Sequence, residues 1–80
     1  MQDHSARIAY AMADVLRKRA ISLELTQRDV AHRTGLSQPR ISRVFAHGVA
    51  LTFEVALRLC GAMELTLEEA YAAAQQRVTS

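Results

Sequence analysis

The chain has 80 residues, half of them hydrophobic, 22% charged and 5% aromatic. That apolar share can build a core and excludes a disordered chain. The length leaves room for one small domain, residues 1–80, and excludes a large catalytic cleft, since a pocket of about 300–1,000 Å³ would consume most of that core. The formal net charge of +2 conceals an asymmetry: residues 1–50 carry eight bases and four acids, residues 51–80 two bases and four acids. A basic half beside an acidic half suggests one side facing a polyanion and another facing elsewhere.

Fourteen alanines and recurrent 3.6-residue periodicity predict helix throughout and no strand. The first helix spans about residues 3–20, with Ile8, Met12, Val15 and Leu16 as its inner stripe. Asp3 suits its N-terminal dipole end, and Arg17-Lys18-Arg19 the C-terminal end. A connector over residues 21–25 follows. Thr26 caps the second helix, with Asp29 in capping-box position, and Gly35 ends it in a left-handed conformation. Ser37 caps the third helix. Pro39 lies in its first turn, where a missing N–H costs nothing. Ile41, Val44 and Phe45 form its inner stripe, and His47-Gly48 closes it. Thr52 caps a fourth helix, with Phe53, Ala56, Leu57, Cys60 and Met63 on its inward side. Thr66 and Glu69 make a capping box for a fifth, over residues 66–78, whose stripe is Leu67, Ala70, Tyr71, Ala74 and Val78.

Residues 26–47 carry the most information. Two short helices meet at a tight turn. Ala31 is small enough for the second helix to cross close over the first, Gly35 makes the bend, and Ile41 and Val44 anchor the second helix from beneath. This is the architecture of a helix-turn-helix, whose second helix can enter the DNA major groove. In the segment Leu25-Thr26-Gln27, Val30-Ala31, Gly35-Leu36-Ser37-Gln38 and Ile41-Ser42-Arg43, the chain resembles the phage repressor and Cro-type (XRE) helix-turn-helix family. The likeness extends more loosely through residues 52–69. It implies an all-α, compact five-helix lambda-repressor-like domain of bacterial or phage origin, working in the cytoplasm.

With Ile41, Val44 and Phe45 inside, the outer face of the third helix presents Gln38, Pro39, Arg40, Ser42, Arg43 and His47, with no acid among them. The resemblance implies that Gln38, Pro39, Arg40 and Arg43 point at base edges. Their chemistry agrees: Gln pairs bidentately with adenine, Arg with guanine, and Pro offers only an apolar contact. Gln27 resembles the family's phosphate-contacting glutamine, at a helix N-terminus that presents free N–H groups. Arg28, Ser37, Ser42 and His47 are further phosphate candidates. Arg33 reads as an outer-face residue.

Other chemistry finds no support. The three histidines do not match metal-ligand spacing, and the three glycines form no phosphate loop. No cofactor and no metal are expected. Cys60, the sole cysteine, excludes an intrachain disulfide, fits a reducing compartment and reads as a buried structural thiol. The apolar run 8–13 is too short for a secretory signal, and nothing approaches a membrane span of about 18–20 apolar residues.

One recognition helix buries too little surface for selective binding, so a homodimer on a near-palindromic operator in double-stranded DNA is expected. The candidate dimer surface is Val55, Leu59, Ala62, Leu65, Leu67 and Tyr71. Repression by occupancy is the favoured outcome, since the sequence carries no sign of a ligand-sensing domain. An antitoxin with a toxin partner, a restriction–modification controller, and an interaction module that has lost DNA binding are the rivals. An acidic third-helix face would favour the last, and this face is basic.

Overall fold

The computed structural model describes residues 4–79. Five helices follow in order: α1 (His4–Ser22), α2 (Gln27–Thr34), α3 (Gln38–Phe45), α4 (Phe53–Ala62) and α5 (Leu67–Thr79). No strand occurs among the described residues. The expected dipole role of Asp3 lies outside them.

Local chemistry sets where the helices start. Thr26 and Asp29 exchange both capping-box bonds, at 2.9 and 3.1 Å, and Thr66 and Glu69 do the same at 3.0 Å each. Ser37 Oγ accepts from the Arg40 N–H and Thr52 Oγ1 from the Val55 N–H. At the other ends, four helices finish with a left-handed residue: Glu24 after α1, Gly35 after α2, His47 after α3 and Glu64 after α4. After α1, α3 and α4 the next N–H bonds back five residues, from Leu25 to Ala20, Gly48 to Arg43 and Leu65 to Cys60. The first helix therefore runs two residues past its expected end.

α1 and α5 pack lengthwise on each other, and α2 bridges α3 and α4. Leu16, Val30, Ile41, Val44, Leu59, Met63 and Ala70 meet in the centre, all but fully excluded from water. Met12 and Val15 of the expected α1 stripe pack against the rim of this core. Cys60 is buried there, and burial pushes its thiol above the ordinary value, as suits a structural cysteine.

The facing of α4 differs from expectation. Val55, Ala56, Leu59, Cys60 and Met63 are inside, whereas Phe53 is 69% and Leu57 46% exposed. α4 is apolar on two sides, so periodicity alone did not choose between them. Packing against α2 on one flank and α5 on the other selects the side carrying Val55 and Leu59. These two therefore belong to the core and cannot form a dimer surface while the domain is folded. Ala62, Leu65 and Leu67 pack partly buried against the core, and Tyr71 stays exposed.

Three arginines tie helix ends to neighbouring helices. Arg58 Nη1 on α4 donates to the Thr34 carbonyl at the end of α2, at 3.1 Å. Arg33 Nη1 on α2 donates to the Ala62 carbonyl at the end of α4, also at 3.1 Å. Arg19 on α1 adds bonds to the Met63 and Glu64 carbonyls, at 3.0 and 3.3 Å. The last carbonyls of a helix lack internal partners and carry partial negative charge, so a cation satisfies both demands. No buried side-chain nitrogen or oxygen lacks a partner among the described residues.

Candidate nucleic-acid interface

The interface is built on α3, which is held from below and behind. Ile41, Val44 and Phe45 are buried against the core. Buried Thr34 braces the turn before it, its hydroxyl donating to the Val30 carbonyl at 2.8 Å and accepting from the Leu36 N–H at 3.2 Å. Gly35, with φ 75, makes the bend, and its N–H donates to the Ala31 carbonyl. A β-carbon at Gly35 would stand 3.6 Å from Arg58 Nη1, an ordinary contact, so the left-handed backbone rather than space calls for glycine.

Held this way, α3 turns Gln38, Pro39, Arg40, Ser42 and Arg43 to solvent. Pro39 sits in the first turn, as its missing N–H requires. Among the described residues, the Arg40 and Arg43 guanidinium groups make no hydrogen bond or ion pair. Two unneutralised cations beside an amide, on a ridge without an acid, offer donors for base edges and charge for phosphates. Gln27 opens α2 and Arg28 follows it, both exposed; Ser37 caps α3 with its hydroxyl proton still free to donate.

His47 stands apart from this group. Its Nε2 lies 2.9 Å from Asp14 Oδ1 on α1, and its ring packs on Tyr10 at 4.9 Å between centroids. Arg77 Nη2 of α5 approaches the other oxygen of Asp14 at 3.9 Å. The end of α3 is thereby fastened to α1 and α5, and one His47 nitrogen is committed within the chain.

Arg17 is a further candidate that the sequence pattern does not single out. Its place in the sequence groups it with Lys18 and Arg19 at the C-terminal dipole end of α1. The structure separates them: Arg19 is spent on the end of α4, while Arg17 lines a crevice with Ile21, Gln27 and Phe45 and makes no hydrogen bond or ion pair among the described residues. The only signal in the sequence was a base one helical turn before Ile21, and it required the relative placement of α1 and α2. Arg33 is exposed, as expected of an outer-face residue, and its guanidinium reaches the end of α4.

Among the described residues no cluster of His, Cys, Asp and Glu side chains could hold a metal ion. No described helix is long and apolar enough to cross a membrane. No curated protein and no solved structure matches the chain. A family model described as helix-turn-helix matches residues 15–69, more than half of the sequence and all of α2, α3 and α4. That family is one of DNA-binding regulators rather than enzymes, and its match carries sequence-specific DNA binding with it. Residue pattern, helix geometry and family match agree, and the chain belongs to the Cro-type (XRE) helix-turn-helix family.

Proposed function

We propose that the protein is a homodimeric transcriptional repressor that lays α3 in the major groove of each half of a near-palindromic operator. The observation that carries this reading is the outer ridge of α3, exposed, free of acids and bearing two unpaired arginines. Gln38, Arg40 and Arg43 contact base edges, and Pro39 makes an apolar contact. Gln27, Arg28, Ser37, Ser42 and Arg17 hold the sugar-phosphate rails, and His47 fixes the angle of α3 through Asp14. Such backbone contacts set register and carry no sequence information.

Size supports the second copy. The molecule measures 33 × 22 × 19 Å, enough for one half-site, while half-sites one helical turn apart lie about 34 Å from centre to centre. Repression then needs no further part, because occupancy of a promoter by the dimer blocks it.

Selection of bound duplexes from a random DNA pool tests the proposal. The expected product is an inverted pair of short half-sites at that spacing. A bound pool without an enriched sequence, or with a single unpaired half-site, overturns it.

A further inference from the structure

The core has taken Val55 and Leu59, and α4 turns a different ridge outward. Phe53, Leu57 and Gly61 are spaced four apart, stack along one side of the helix, and are all exposed. Nothing within the chain explains Gly61. A β-carbon there would meet no atom within 4 Å, and glycine inside a helix weakens it relative to alanine.

We infer that this ridge is the homodimer seam, with two copies of α4 packed antiparallel about a twofold axis through Leu57. The inference rests on the homodimer reading above and is independent of which bases α3 contacts. The ridge is complementary to itself. Residues equally far before and after Leu57 face each other across such an axis, so Leu57 meets its own copy and Phe53 of one chain falls on Gly61 of the other. A large ring over a bare stretch of backbone fills the space that a side chain would occupy, and the helices can approach closely.

The charges agree with the same register. Glu54 and Arg58 flank the ridge one residue further round and already lie 3.1 Å apart within one chain. The rotation brings Glu54 of one copy within about 3 Å, measured along the helix axis, of Arg58 of the other. Each copy then sets a cation beside the other's carboxylate, twice over. A partner of unrelated sequence would not require a large and a bare position at equal distances on either side of Leu57; a second copy of this chain does.

Oxidative cross-linking of the full chain, free and on its selected duplex, tests the seam. Leu57→Cys thiols would face each other at disulfide distance on the axis. Phe53→Cys thiols would lie about 12 Å apart along it. The expected result is a covalent dimer from Leu57→Cys and from the double variant Phe53→Cys/Gly61→Cys, and none from Phe53→Cys alone or from the wild type, whose Cys60 is buried. Gly61→Leu should fold with unchanged circular dichroism, since its site is open, yet raise the dimer dissociation constant by about tenfold in sedimentation equilibrium. A wild-type dimer whose Leu57→Cys variant does not cross-link overturns the seam and leaves the homodimer reading standing. A wild type that is monomeric both free and on DNA overturns both.

Discussion

Glu24, His47 and Glu64 occupy left-handed positions where Gly35 alone has the residue best suited to them. An L side chain in that conformation costs about 1 kcal/mol or more. Glu64→Gly should therefore raise stability by about 0.5–1 kcal/mol, the Glu64 carbonyl still receiving Arg19, whereas Gly35→Ala should lower it by about 1 kcal/mol. Thermal unfolding of the pair checks this, and shifts of the same sign would contradict the assignment of strain. The capping carboxylates give a second expectation. The Thr26 N–H and hydroxyl hold Asp29 below its usual 3.8, and Thr66 does the same for Glu69 below 4.5. Groups depressed by folding contribute stability that is complete above the unfolded values and fades as pH falls through the folded ones. Melting temperature should therefore drop as pH is lowered from about 5, and an Asp29→Asn/Glu69→Gln variant should show a flatter acid limb. On the reading ridge, Arg40→Ala and Arg43→Ala should each erase preference at one or two operator positions, worth about 1–3 kcal/mol. Comparing affinities across single-base operator variants measures it; equal weakening on every duplex would assign these side chains to phosphate.

Between elements, the arginine exchange at the ends of α2 and α4 fixes how the motif sits on its support. Arg58→Ala removes the donor to Thr34, and since that side chain is partly in water the expected loss is about 1 kcal/mol in chemical denaturation. Unchanged stability would show the bond to be incidental. These long bonds also mark where sequence reading stops. The starts of α2, α3, α4 and α5 were legible because each cap involves residues three apart, and the α3 stripe was legible because only one of its sides is apolar. α4 offers two apolar sides, and only its neighbours choose between them. The engagement of His47 with Asp14 spans 33 residues, and no spacing rule points to it. Arg17 became visible for the same reason in reverse: its crevice exists only once α1 lies beside the start of α2.

Across the whole molecule the bases divide into two populations. Arg19, Arg33, Arg58 and Arg77 are spent on carbonyls and carboxylates of their own chain. Arg7, Arg17, Lys18, Arg28, Arg40 and Arg43 make no hydrogen bond or ion pair among the described residues, and they belong to α1, α2 and α3. The net charge of +2 thus understates what a polyanion meets. Affinity for DNA should fall steeply with salt. Arg17→Ala and Arg28→Ala should each make the logarithmic salt slope shallower by about 1, and Arg33→Ala should leave it unchanged. Titrations at several salt concentrations distinguish the two populations, and an equal effect from all three variants would remove the distinction.

The grip of Asp14 on His47 bears on how portable this motif is. The segment that reads DNA is short, but its end is fastened to an acid near the middle of α1, itself approached by a base near the end of α5. Transplanting only the two short helices and their bend to a foreign scaffold would carry over the lettering and lose the angle at which it is held to the page.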